Sequence, residues 1–262
     1  MESAVDYWTS KALLDWQVEM GADEAIADAP IDRYALEDKK PAPKVQTDPA
    51  KMAPPPPPAE TPQIDVAQAA QDAAAAASDL DGLRAAMLAY EHCDLKAAAR
   101  HFIFSDGVAG APVMILTDAP DRDDDRAGQL MSGPTGVLFD KMIGAIGLNR
   151  VGENAVYMAP VLPWNPSQNR DPSAAELAMM TPFLRRHIEL AAPKLVVLMG
   201  NAPCQALLGR SGMTRLRGRW VEVDGVPALP IFPPSFLLTN SAAKRDAWAD
   251  LLALQAKLKD VT

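Results

Sequence analysis

The chain has 262 residues, 48% of them hydrophobic, which is enough for one sizeable domain with an appendage or for two small ones. No run of about 18 apolar residues occurs, which excludes a transmembrane helix, and Met1–Lys11 lacks the basic-then-apolar order of a secretory signal; a cytoplasmic protein, or one associated with the nucleoid, is the plain expectation. The net charge of −9 is uneven: six basic and fifteen acidic residues precede residue 81 and nineteen of each follow, so the C-terminal part is neutral and lacks the basic footprint of a strong nucleic-acid binder.

Tyr7–Gly21 (YWTSKALLDWQVEMG) predicts a short amphipathic helix, started by Ser10 and ended by Gly21. Trp8, Leu13, Leu14, Trp16, Val18 and Met20 cluster too densely for a solvated tail. Ala22–Glu60 is polar, acidic and proline-rich, and the five prolines of Pro54–Pro58 predict stiff polyproline II. Gln63–Ala77 is alanine-rich and helix-forming but has few large apolar residues to anchor it. The expected organisation is a partner-binding helix over 1–21, an acidic Pro/Ala-rich linker over 22–80, largely extended, and a folded domain over 81–262.

From Leu83 onward strands and helices alternate. Val113–Thr117, Val156–Ala159, Leu195–Gly200 and Val226–Phe232 read as strands. Thr135–Leu148, Ser173–Leu190, Ala202–Leu208 and Ala242–Leu258 read as helices, the second opened by a capping box of Ser173 and Glu176. Such alternation predicts a three-layer α/β/α fold around a central, mainly parallel four-stranded sheet. Ligand-binding residues are then expected just beyond Thr117, Ala159, Gly200 and Phe232, at the C-terminal strand ends.

Four segments carry a resemblance. Asn169–Arg170–Asp171–Pro172 is followed by Glu176 and Pro182–Phe183–Leu184. Pro193–Val197 leads through to Gly200. Leu216–Arg217–Gly218–Arg219–Trp220 forms a basic loop. Pro234–Leu238 is followed by Lys244, Trp248 and Asp250. In this order and spacing they resemble the uracil-DNA glycosylase superfamily, most nearly its iron–sulfur, family 4-type enzymes, over about Leu83–Leu258.

The departures from the family pattern bear on function. The motif that reads roughly G-E-A-P-G-x-x-E-D in the family is Thr117–Asp125 here, with Asp118 as the surviving acid. The base-pocket positions implied by the resemblance are Ala119, Pro120, Met131, Pro160 and Pro233. Met131 replaces the phenylalanine that stacks on the extruded base, Pro160 the asparagine that reads its edge, and Pro233 the histidine that stabilises the departing anion. Of four cluster cysteines only Cys93 remains, the others aligning with Tyr90, Trp164 and Met180; no iron–sulfur cluster, no other cofactor and no metal are expected.

Each feature has a bland reading beside the functional one. Asp118 positions a water, or is one of five solvated carboxylates with Asp121, Asp123, Asp124 and Asp125. Arg215, Arg217 and Arg219 contact phosphate, or form structural salt bridges. Arg217, Arg219, Ser235 and Phe236 are the DNA-binding candidates, with Phe236 and Leu237 in the place of the family's duplex-probing wedge. His92, His101 and His187 match no motif position. Trp8, Leu13 and Trp16 are the candidate docking face for a replication or repair protein, and Asp15–Trp16–Gln17 with Met20–Gly21 faintly resembles the N-terminal segment of the psi subunit of bacterial DNA polymerase III. The expectation is a catalytically degenerate glycosylase-like protein acting as a DNA-associated or protein-interaction module, with DNA as a possible partner and no membrane; the alternative is an active glycosylase of altered specificity driven by Asp118.

Overall fold

The computed structural model describes Lys11, Trp16 and residues 66–97, 99–166 and 170–261. Two compact units are distinguished, 1–60 and 61–262. In the first, Lys11 and Trp16 are helical and exposed. Trp8, Leu13 and the proline run lie outside the described residues.

In the second unit the strands are β1 (Asp106–Gly107), β2 (Val113–Thr117), β3 (Tyr157–Pro160), β4 (Leu195–Met199), β5 (Val221–Val223) and β6 (Val226–Ile231). The sheet order is β1-β3-β2-β4-β6-β5. β3, β2, β4 and β6 run parallel, and β1 and β5 close the edges antiparallel. β2, β3 and β4 are buried at every residue, which is why they read as continuous apolar runs and not as alternating ones. The expected four-stranded sheet is therefore the middle of a six-stranded one. The edge strands are two and three residues long, too short to leave a period in the sequence.

The helices are α1 (Val66–Ala76), α2 (Leu80–Ala89), α3 (Arg122–Ala127), α4 (Gly133–Ala145), α5 (Ala174–Ala191), α6 (Asn201–Leu208), α7 (Met213–Leu216), α8 (Pro234–Thr239) and α9 (Lys244–Val261). Ser173 and Glu176 form the expected capping box at the start of α5. α5 packs against α1, α2 and α6, while α4, α8 and α9 pack together. The strand order reverses direction after β3, and the right-handed rule for crossovers between parallel strands then assigns these two groups to opposite faces of the sheet.

The boundary drawn at residue 81 is corrected. α1 lies within the segment assigned to the linker, yet it packs on α5 with Ala70 and Ala74 buried. Arg186 on α5 donates from Nε and Nη2 to the Ala77 carbonyl, at 3.0 and 2.7 Å, and the Tyr90 hydroxyl donates to the Val66 carbonyl at 2.7 Å. Small alanine side chains let the two helix backbones approach closely, and α5 supplies the bulk that α1 lacks.

β2 and β4 are neighbours whose connections leave in opposite directions, β2 toward β3 and β4 toward β6. The crevice between their C-terminal ends is thus the switch point where open α/β sheets bind ligands.

Candidate functional site

Asp118 follows β2 directly and faces the turn that follows β4. Its Oδ1 accepts a hydrogen bond from the Ala202 amide, at 2.8 Å, in the first turn of α6. Gly200 makes this possible: its φ is +124°, and a Cβ there would lie 2.1 to 2.4 Å from the Asp118 carboxylate atoms. The carboxylate therefore bridges β2 to α6 across the switch point. Burial raises its pKa to about 6; the Ala202 amide opposes this and the negative charge of Asp171 adds to it. Asp118 forms no ion pair with a described residue, and its Oδ2 makes no hydrogen bond among them.

The next four carboxylates do not form one solvated cluster. Asp121 caps α3, accepting from the amides of Asp123 and Asp124, and Asp124 completes a capping box. Buried Asp124 also accepts from Ser132 N at 2.7 Å; its pKa is pushed up to about 6, by burial above all. Buried Asp125 accepts from the amides of Arg100 and His101 at 2.9 and 3.0 Å. Asp121 and Asp123 are half-buried, and Asp123 lies 3.6 Å from Arg126. Unmet N–H groups at a helix start and in a loop explain the acidic run better than solvation does. No grouping of three or more potential metal ligands occurs among the described residues.

Met131 is buried and held in left-handed backbone, with φ +53°. Arg150 fixes this turn: Nη1 donates to the Leu130 carbonyl at 2.7 Å and Nη2 to the Met131 carbonyl at 2.6 Å. The guanidinium is itself set by Asp106 and Asp140 and lies over the Phe139 ring. The Met131 carbonyl sits where Gly136 would carry a Cβ, 1.8 Å away, so α4 needs a glycine at that point. Arg150 and Gly136 shape the Met131 turn and were not singled out in the sequence, whereas Gly200 and Asp171, which act on Asp118, lay in the motif segments but were not named as site residues.

The other positions aligned with the base pocket carry no side-chain donor. Pro160 ends β3 opposite Thr117, buried. Pro233 precedes α8 and is half-buried. Ala119 is half-buried and Pro120 buried, with the Pro120 carbonyl accepting from Asn165 Nδ2 at 2.6 Å. A groove of about 900 Å³ bounded by Gln71, Thr181, Arg185 and Asp224 lies elsewhere, between α1, α5 and the β5–β6 turn.

The basic loop divides. Arg217 is committed to Asp250, which is 2% exposed: Nε donates to Oδ2 at 2.7 Å and Nη2 to Oδ1, and Nη2 also reaches the Asp246 carbonyl at 2.7 Å. For Arg217 the salt-bridge reading describes the structure. Arg215 and Arg219 are exposed and form no ion pair among the described residues. Ser235 and Phe236 are exposed on α8, Phe236 stacking on Phe232 at 4.7 Å, whereas Leu237 is buried. His187 is buried, bonded to the Tyr157 hydroxyl at 2.8 Å, and burial lowers its pKa to about 3.

The positions aligned with cluster cysteines hold buried Tyr90, Cys93, Trp164 and Met180. Tyr90 meets Phe183 edge-on at 5.3 Å and Trp164 meets Phe102 at 5.4 Å. A cluster takes about four thiolates. One buried thiol among packed aromatic and thioether side chains does not fit that group.

A profile of the uracil DNA glycosylase superfamily matches residues 104–252, a span that includes Asp118, Met131, Pro160 and Pro233. The chain is similar to the type-4 uracil-DNA glycosylase of Archaeoglobus fulgidus, 27% identical over 180 residues that cover 65% of this chain and 89% of the relative. To the type-4 uracil-DNA glycosylase of Sulfurisphaera tokodaii it is 27% identical over 171 residues, 62% of this chain and 76% of that one. It is also similar to a DNA polymerase of Bacillus phage SP01, 23% identical over 156 residues, 60% of this chain and 17% of the polymerase.

Proposed function

This chain belongs to the uracil DNA glycosylase superfamily, and on that premise we propose that it is a member that does not excise uracil and serves as a DNA-associated or protein-interaction module in DNA repair or replication. The observation that carries this is the pair Pro160 and Pro233 at the strand ends. Breaking the bond between uracil and its sugar places negative charge on the base and positive charge on the sugar. The first needs donors aimed at the base, and each lost donor of this kind costs roughly 10²–10³ in rate. Two prolines remove two donors. An extruded base also needs stacking and edge contacts to offset unstacking, and Met131 offers only apolar contact. Replacement of the cluster positions by Tyr90, Trp164 and Met180 supports a protein without iron.

Exposed Trp16, 56% accessible, supports the docking role of the N-terminal helix, with Trp8 and Leu13 as its companions. A clamp-loader accessory role of the psi kind is the specific form of this reading. The similarity to a segment of a phage DNA polymerase favours a replication setting. Exposed Arg219, Ser235 and Phe236 are the DNA-facing candidates. The test is a uracil-excision assay on single- and double-stranded DNA together with affinity capture by residues 1–21. No excision and loss of a specific replication or repair partner on Trp16→Ala support the reading; uracil release abolished by Asp118→Asn overturns it.

One observation favours the second reading, an active glycosylase of altered specificity. Asp118 is a half-buried carboxylate with no cationic partner among the described residues, placed at the switch point.

A further inference from the structure

Resting on that second reading, we propose that the Asp118 site excises cationic, ring-alkylated purines such as N7-methylguanine and N3-methyladenine from DNA, and not uracil. The argument starts from charge. Uracil departs as an anion, so its enzyme needs donors at the base. An alkylated purine already carries a positive charge on its ring. When its C1′–N bond breaks, the bonding pair stays on the ring nitrogen and cancels that charge, so the base departs neutral. Donors at the base then have nothing to stabilise. What the reaction still needs is an anion near the positive charge that develops on the sugar.

The described site has that composition. The positions that the resemblance aligns with the base pocket, Ala119, Pro120, Met131, Pro160 and Pro233, carry no ionisable side chain, and Pro160 pairs with Thr117, the residue before Asp118. Asp118 contributes one carboxylate, and the charge of Asp171 reinforces it. No lysine, arginine or histidine among the described residues pairs with Asp118, and Oδ1 is held by the Ala202 amide, which leaves Oδ2 unbonded among those residues. A half-buried carboxylate with a second acid nearby and no counter-cation favours a cationic ligand and a cationic transition state. Met131 replaces the stacking ring with a polarisable thioether, which contacts aromatic rings favourably whatever their edge pattern. Its backbone is held by Arg150 through the Met131 carbonyl.

The step balances without a further reactant. The C1′–N bond breaks and the neutral purine leaves. Water adds its oxygen to C1′, giving an abasic sugar. The proton from that water passes to the Asp118 carboxylate and on to solvent. The products are the neutral base, the hydrolysed sugar and one proton.

The experiment uses the full chain and oligonucleotides carrying a single N7-methylguanine or a single uracil, with base release followed by chromatography against buffer alone. Methylguanine release is expected at about 10²-fold the spontaneous rate, lost in Asp118→Asn, with uracil retained. Asp118→Asn keeps the acceptor for Ala202, and circular dichroism checks that it folds. Methylguanine release no faster than in buffer overturns the proposal while leaving the module reading standing. Release unaffected by Asp118→Asn overturns it by removing the carboxylate from the chemistry. Release of uracil at a comparable rate overturns both, since it shows that the prolines do not matter.

Discussion

Asp118 and Gly200 meet across the gap between β2 and β4 so closely that a methyl group on Gly200 would lie 2.1 Å from Oδ2 of Asp118. The glycine also holds a φ of +124°, which L side chains rarely adopt. Gly200→Ala therefore meets two penalties, backbone strain and a carboxylate pushed off the α6 amide. We expect a loss of roughly 2–4 kcal/mol. Thermal melts should show a fall of about 5–10 °C. A melting temperature within a degree of the parent would show that the two strand ends are not held this way.

The same carboxylate makes stability depend on pH. Asp118 has its folded pKa raised to about 6 from an ordinary 3.8, chiefly by burial. A raised pKa means that the folded state binds the proton more tightly than the unfolded chain. The contribution is fully present below about pH 3.8 and is lost as pH rises through about 6. Asp118→Asn removes the charge while keeping the acceptor for the Ala202 amide. At pH 7.5 the variant should be more stable by about 1–2 kcal/mol, and near pH 4 the difference should shrink toward zero. Melts across pH 4–8 decide it. Asp124, raised in the same sense, leaves the variant with a residual slope of its own. A gain that is constant with pH would mean that the charge of Asp118 is not what is being removed.

Iron content follows from the packing around α5. Cys93 is the one thiol at the four aligned positions, beside Tyr90, Trp164 and Met180, all buried. Protein purified without oxygen and incubated with iron and sulfide should remain colourless, with no stoichiometric iron by elemental analysis. A brown protein with about four irons per chain would require ligands outside these positions.

Limited proteolysis should leave a core that begins near Val66. The carbonyl of Ala77 takes two hydrogen bonds from Arg186, and Ala70 is completely buried. A chain starting at residue 81 loses these contacts and should melt several degrees below one starting at residue 61. Equal melting temperatures would return α1 to the linker.

How much of this was legible in the sequence differs by element. Val113–Thr117 and Leu195–Met199 were visible because strands buried on both faces are uninterrupted apolar runs. The capping box at Ser173 was visible because its pattern is local. α1 was misjudged because alanine signals helix propensity but not packing, and the residues that bury it lie more than a hundred positions away. The acidic run after Asp118 read as solvated because composition does not reveal which amides a carboxylate will cap. Arg150 was invisible for a similar reason, since its targets are backbone carbonyls and no motif marks it.

The two arginines of one loop should separate structure from surface. Arg217 places its guanidinium on Asp250, a carboxylate 2% exposed whose pKa is raised by burial and lowered again by this partner. It also lies 5.7 Å over the Phe232 ring. The turn is built to match: Gly218 has φ +71°, and a Cβ there would come within 2.5 Å of Asp250 Oδ1. Removing only the arginine leaves a buried carboxylate with no partner, which typically costs about 3 kcal/mol or more. Arg217→Ala should therefore lower the melting temperature by about 6–12 °C. Arg217→Met combined with Asp250→Leu should recover much of that loss, because the unpaired charge is then gone as well. Arg219 is exposed and forms no ion pair among the described residues, so Arg219→Ala should change stability by no more than about 0.5 kcal/mol. If the chain binds DNA through this loop, Arg219→Ala should weaken binding to all sequences alike and reduce the salt dependence by about one ion. A double variant no more stable than Arg217→Ala alone would show that Asp250 is not what the arginine stabilises.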